Sequence, residues 1–169
     1  MPRHIDYYFS LQSPWAYIGH RLFRDIAASH GAAVAVKPVM LLDLFAEDIG
    51  HASQLLQLVD EEFQAGLDPE PYLQRAFPAI WEQQLNLGDA EVITRLADAA
   101  GLPGRDLVAK SGSDAVAAVY EQNRQDAIAA DVFGSPAYVL DGEIFWGQDR
   151  LELLADALKS GRSAYTSEP

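Results

Sequence analysis

The sequence predicts an α/β domain of βαβ…ββα order whose middle is helical, and three observations point to it. An apolar, aromatic-rich run at residues 5–9 passes directly into Ser13-Pro14, a strong helix start. Near the other end, Ser135-Pro136 introduces two short apolar runs joined by Asp141-Gly142, a strong local hairpin signal. Between these ends apolar residues recur at helical rather than alternating spacing.

Each element follows from its own chemistry. Tyr7-Tyr8-Phe9 mark the first strand as buried. Ser13 suits a helix N-cap and Pro14 the first helical position, and Leu22, Phe23, Ile26 and Ala27 carry that helix to Gly31. Residues 33–39 read as a second strand with Pro38 near its end, and a strand-helix-strand unit of this length is expected to cross over in parallel, right-handed fashion. In the middle, Leu55, Val59 and Phe63 share one helical face, while Leu73, Phe77, Ile80 and Trp81 mark a helix that Pro78 is expected to kink or interrupt. Asp89 is placed to cap a further helix bearing Val92, Ile93 and Leu96, which stops at Gly101-Leu102-Pro103. Ser111-Gly112-Ser113 reads as a loop, and a helix over 114–130 leads to the Gly134-Ser135-Pro136 turn. Strands over 137–140 and 143–146 follow, then a last helix marked by Leu151, Leu154, Ala155 and Leu158, and a tail expected to be loose.

Composition narrows the function classes. With 169 residues and 49% apolar content the chain can bury a substantial core, most simply as one domain with a helical insertion. A formal charge of -13 and twelve dispersed Lys and Arg argue against a nucleic-acid or anionic-membrane partner. No stretch approaches the roughly 20 apolar residues of a membrane span, and the start of the chain leaves no room for a signal-peptide apolar region, so a cytoplasmic protein is expected. There is no cysteine, so the chain cannot exchange disulfides by itself, and thiol chemistry would have to arrive with a bound cofactor. His4, His20, His30 and His51 show no metal-ligand spacing, and no metal site is expected.

Three places carry candidate chemistry, each with a plain structural reading beside it. Ser13 lies where the first N–H groups of a helix are unpaired and the helix dipole favours an anion, although a helix cap alone would also account for it. Ser135-Pro136 precedes a strand; a cis bond there would turn the Ser135 backbone outward to pair with a peptide-like ligand. Asp149 either caps the last helix or receives an amine at the site edge, and Arg150 is a solvated charge or turns toward protein. Trp15, Trp81 and Trp146 read as core or pocket-wall residues. A strand followed by a Ser-Pro helix start, and an X-Pro turn before a hairpin, resemble the thiol-binding corner of a thioredoxin-like fold, with Ser13-Pro14-Trp15-Ala16 standing where redox members carry Cys-x-x-Cys.

The segments Ser13-Pro14-Trp15-Ala16-Tyr17, 131–136 and 142–150 closely resemble the 2-hydroxychromene-2-carboxylate isomerase family, relatives of the kappa-class glutathione transferases and of DsbA. The match covers residues 5–50 and about 72–158, with Asp131 standing where the family often has Gly. The resemblance implies a discontinuous thioredoxin-like domain at 1–40 and 112–160, an all-helical insertion at 41–111 that is shorter than usual, a loose tail at 161–169, and a homodimer. It implies glutathione as cofactor, with Ser13 holding its sulfur, Ser135 and cis-Pro136 clamping its cysteinyl part, Gln148 and Asp149 receiving its γ-glutamyl end, and Trp146 beside them. His51 stands where the family often has an Asn that touches glutathione. The activity implied is cis-trans isomerisation of an unsaturated aromatic 2-oxo acid, the alternatives being a kappa-like glutathione transferase or a non-catalytic thiol- or peptide-binding module.

Overall fold

A computed structural model describes residues 3–39 and 67–165. His51, Leu55, Val59 and Phe63, and with them the helix expected there, lie outside the described residues. The chain divides into two compact units, residues 1–37 with 125–169, and residues 38–124.

The first unit is built on β1 (His4–Phe9), α1 (Pro14–Ser29), β2 (Ala33–Pro38), β3 (Ala137–Leu140), β4 (Glu143–Trp146) and α6 (Leu151–Ser160), with a single 3-10 turn at Gln148–Arg150 before α6. The sheet order is β2-β1-β3-β4. β1 pairs antiparallel with β3, setting Tyr7 opposite Tyr138, and β3 pairs antiparallel with β4. Asp141 and Gly142 both take positive φ, 53° and 87°, the conformation that a two-residue hairpin turn demands.

Alternation along β1 decides its two faces. Tyr7 and Phe9 point to one side and stack at 4.6 Å between ring centroids, with Tyr138 5.3 Å from Tyr7 and Phe23 of α1 4.5 Å from Tyr138. Burying each such side chain contributes roughly 1.5–3 kcal/mol, so this stack seats α1 on the sheet. Tyr8 and Asp6 face the other way, toward Lys37 of β2. Its ammonium bonds Asp126 at 2.9 Å, lies 3.8 Å from Asp6 and sits 5.4 Å from the Tyr8 ring centroid. Burial pushes the Tyr8 hydroxyl upward despite that ammonium.

The second unit holds α2 (Glu70–Trp81), α3 (Ala90–Ala99) and α4 (Gly104–Ser111), and α5 (Asp114–Ala129) runs from it into the first unit. Tyr72, Leu73, Phe77, Ile93 and Leu107 are buried. Pro78 does not interrupt α2, which runs through it to Trp81. The helix loses one ladder bond there, and the buried face bearing Leu73, Ala76 and Phe77 outweighs that loss. Asp89 caps α3 as expected, its carboxylate accepting the Glu91 N–H at 2.8 Å.

α4 was not legible in the sequence, where Gly101-Leu102-Pro103 reads as a helix stop and nothing marks a new helix start. Gly104 is required by close packing, since a Cβ there would lie 2.5 Å from the Thr94 carbonyl oxygen of α3. The tail, expected to be loose, is tied as far as Tyr165. Arg162 pairs in bidentate fashion with Glu143 at 2.6 and 2.8 Å and lies 3.9 Å from the Tyr165 ring centroid, while the Tyr165 N–H donates to the same carboxylate at 3.0 Å. No helix among the described residues is long and apolar enough to cross a membrane.

Candidate functional site

At the start of α1, Ser13 is an N-cap in extended conformation, and its hydroxyl oxygen accepts the Ala16 N–H at 3.2 Å. The same hydroxyl donates to the Ser135 carbonyl at 2.9 Å. Its proton direction is fixed by its partners, because an N–H can only donate and a carbonyl can only accept. Pro14 has no N–H, so the Trp15 N–H is left as the first-turn donor without an acceptor among the described residues.

A second serine braces the corner. The Ser10 N–H donates to the Ser135 hydroxyl oxygen at 2.9 Å, and the Ser10 hydroxyl oxygen accepts the Gln12 N–H at 3.2 Å. Ser135 is thereby held from two directions by the loop after β1. The Ser135-Pro136 peptide is cis, as expected from the turn. Among the described residues nothing accepts the Ser135 N–H.

From this corner the geometry extends along the hairpin. The Pro136 carbonyl accepts the Gly147 N–H at 2.8 Å and so fixes where β4 gives way to the 3-10 turn. Gly147 has φ 95° and ψ 153°, and a Cβ there would come within 2.5 Å of an Asp149 carboxylate oxygen, so only glycine fits. Gln148 packs against α1 at Gly19, where a Cβ would lie 2.7 Å from the Gln148 Cβ. Beneath them the Tyr138 hydroxyl is buried with no hydrogen-bond partner, and burial alone drives its pKa upward.

These elements enclose a cleft of about 410 Å³ lined by Trp15, Ser135, Trp146, Gly147, Gln148, Asp149 and Arg150. Ser13 is not among the lining residues; it stands behind Ser135, bonded to its carbonyl. Trp146 is 50% exposed, its indole lying on Gly134 and meeting the Phe133 ring edge at 4.8 Å between centroids. Asp149 and Arg150 are both exposed and 3.9 Å apart, a loose pair that commits neither charge.

Of the residues singled out in the sequence, Ser13 and Ser135 meet directly, and Trp146, Gln148 and Asp149 share the cleft with Ser135. His51 lies outside the described residues. The plain reading of Asp149 as a helix cap is overturned, since α6 begins after Arg150 with no side-chain cap bond. Arg150 does not turn toward protein; its side chain is 56% exposed. Sequence reasoning gave no role to Ser10 or Phe133 and placed Gly134 only as part of the turn. A small polar residue ending an apolar strand was the available signal for Ser10, but nothing local marked the contact between Phe133 and Trp146.

Comparison with known proteins identifies the family and the fold. A model of the DsbA-like thioredoxin domain matches residues 4–159. The chain belongs to that family. Among curated proteins it is similar to a 2-hydroxychromene-2-carboxylate isomerase of Sphingobium xenophagum, 24% identical with 94% of this chain and 99% of the relative covered. It is also similar to a protein of the same name from Pseudomonas sp. (strain C18), 21% identical with 91% and 89% covered. The first alignment extends over 193 positions, more than the 169 residues of this chain, so that relative carries additional residues. Among solved structures, a probable DsbA oxidoreductase of Streptomyces coelicolor superposes with TM-score 0.79 at 17% identity, covering 99% of this chain and 94% of that one. A 2-hydroxychromene-2-carboxylate isomerase superposes with TM-score 0.67 at 18% identity, covering 93% and 95%. These likenesses establish the fold. The redox reaction named for the oxidoreductase has no sulfur to use in this DsbA-like chain, which has no cysteine.

Proposed function

We propose that this DsbA-like protein is a glutathione-dependent isomerase of an unsaturated aromatic 2-oxo acid. One observation carries the reading: the helix-capping Ser13 hydroxyl, standing where redox members of the fold carry cysteine, is bonded to the Ser135 carbonyl at the turn before β3. The two relatives named as isomerases along nearly the whole chain support it.

The residues present fit glutathione. Ser135 lines the cleft with an N–H that no described acceptor takes, as an added peptide strand requires. The exposed Asp149 carboxylate suits an α-ammonium, and the Gln148 side chain lines the same wall with no bond of its own among the described residues. Glutathione, when bound, would supply a thiolate nucleophile able to add reversibly to an unsaturated carbon. Ser13 would donate its hydroxyl proton to the negative sulfur, and the N-terminal dipole of α1 would add to that stabilisation. A hydrogen bond to a charged group contributes about 1.5–3 kcal/mol, enough to lower a thiol pKa by roughly one to two units. The bond from the Ser10 N–H to the Ser135 hydroxyl holds the two loops together, so the Ser13 oxygen is positioned before reaction.

The test incubates the protein with glutathione and a conjugated aryl 2-oxo acid, following ultraviolet absorbance together with free thiol. Isomerisation changes the spectrum at constant thiol. Thiol consumed in step with substrate makes the protein a transferase, and glutathione binding without turnover makes it a thiol-binding module.

A further inference from the structure

The Ser13 hydroxyl has one proton, and it is already given to the Ser135 carbonyl. The other role of that oxygen, accepting the Ala16 N–H, can continue whichever way the proton points. A thiolate that takes a hydrogen bond from Ser13 must therefore draw the proton off Ser135, leaving a half-buried carbonyl without that donor. Such a loss offsets much of what the new bond contributes, unless another donor arrives at the carbonyl.

We infer that Ser13 and Ser135 form a one-proton latch that makes the site selective for a cysteinyl amide unit over thiols in general. An amide N–H of the ligand takes the Ser135 carbonyl, and the freed hydroxyl turns to the ligand's sulfur. Each half of the exchange supplies what the other removes, so the thiol end and the amide end of one ligand bind cooperatively. The Ser135 N–H, uncommitted among the described residues, is available to a carbonyl of the same ligand. The bond from the Ser10 N–H to the Ser135 hydroxyl is untouched, so the loop stays in place while the latch switches. This deepens the glutathione reading and rests on a thiol occupying the Ser13 corner, but it does not require the γ-glutamyl end.

The latch makes a prediction of opposite sign for two nearly identical ligands. N-acetylcysteine N-methylamide and N-acetylalanine N-methylamide differ only in the sulfur, and calorimetric titration compares them on the wild type, Ser13→Ala and Ser13→Thr. Ser13→Ala is expected to weaken the cysteine probe about fivefold or more, because the donor to sulfur is gone. It is expected to tighten the alanine probe about two- to fivefold, because that amide no longer competes with Ser13 for the Ser135 carbonyl. Ser13→Thr, which keeps the hydroxyl, restores both. In the wild type, thiolate absorbance against pH should show a lowered pKa for the bound cysteine probe and none for 2-mercaptoethanol, which has no amide.

The latch is overturned if Ser13→Ala weakens both amide probes alike, if 2-mercaptoethanol is lowered as far as the cysteine probe, or if the cysteine probe does not bind. If Ser13→Ala does not fold, by circular dichroism, the two thiol titrations on the wild type decide alone. Should the amide pair shift in opposite directions while glutathione itself fails to bind, the latch stands and the glutathione reading falls.

Discussion

On one side of the cleft Ser10, Ser13 and Ser135 are joined by directed hydrogen bonds of 2.9–3.0 Å, two of them crossing from the loop after β1 to the turn before β3. On the other side, Trp146 to Arg150 are held by shape: an indole lying on Gly134, a backbone at Gly147 that no other residue adopts, and Gln148 pressed against Gly19. Charges on that rim are paired only at 3.9 Å. Hydrogen bonds have angles and fix a reacting atom to a fraction of an ångström. Packing against glycine fixes where a surface lies and leaves its polar groups free to meet a ligand. The corner is thus suited to chemistry and the rim to selection.

The largest expected effect comes from breaking the shape-held side at its tightest point. Gly147→Ala places a Cβ against Asp149 and forces a residue into a conformation essentially reserved for glycine, which costs about 1–3 kcal/mol. Denaturant unfolding should show that loss, and the Asp149-dependent part of glutathione affinity should fall with it. An alanine variant of unchanged stability would mean the rim adapts freely and is not preformed.

The corner should break more selectively. Ser135→Ala removes the acceptor of the Ser10 N–H and leaves the Ser135 carbonyl with Ser13 untouched. Stability should fall by about 1 kcal/mol. The pKa of a bound thiol should stay where it is in the wild type, because in the proposed site the donor to sulfur is Ser13. A thiol pKa that rises toward its solution value in Ser135→Ala would show that the two serines do not have separate roles.

What the sequence revealed divides along the same line. Ser13-Pro14 and Asp141-Gly142 were legible because their chemistry is local: a cap followed by a fixed φ, and two adjacent residues that tolerate positive φ. Ser13 and Ser135 were legible as separate features, and the motif resemblance joined them. The rim was legible only as a motif, since the reason for Gly134 lies under Trp146, twelve positions away, and that for Gly19 under Gln148. The same limit hid α4, which depends on packing against α3, and the tail, which depends on Glu143 of β4. Pro78 misled in the opposite direction, a local rule overridden by burial of its helix.

Beyond the rim, the Glu143–Arg162 strap adds a pH dependence of definite sign. The Arg162 guanidinium, bonded to it directly, holds the Glu143 carboxyl below its ordinary 4.5. A depressed carboxylate contributes stability that is full above its unfolded pKa and is lost as pH falls through the folded value. Glu143→Gln should therefore be less stable than the wild type at neutral pH, and the two should converge as pH falls through the depressed value of the Glu143 carboxyl. A difference that persists unchanged into acid would assign the loss to packing. Cleft binding should be unaffected, since the strap lies outside the residues lining it.

The smallest effect probes the approach to the corner. α5 ends in a paired turn: the Val132 N–H bonds the Ala127 carbonyl at 2.8 Å and the Asp131 N–H bonds that of Ile128 at 3.0 Å, with Asp131 at φ 56°. This is the left-handed helix stop that glycine fills without steric cost, and Asp is among the few other residues that enter it readily. The Asp131 position is where the resembling family often has Gly, and the backbone gives the reason. Asp131→Gly should relieve the strain of positive φ while adding chain entropy to the unfolded state, and the two offset to leave a gain of a few tenths of a kcal/mol. Thermal unfolding should rise slightly, with thiol pKa and cleft affinity unchanged, because the turn fixes where the chain leaves α5 and Ser135 is placed by Ser10 and Ser13. A thiol pKa that moved with Asp131→Gly would show instead that the helix stop, and not the serine bonds, sets the geometry of the corner.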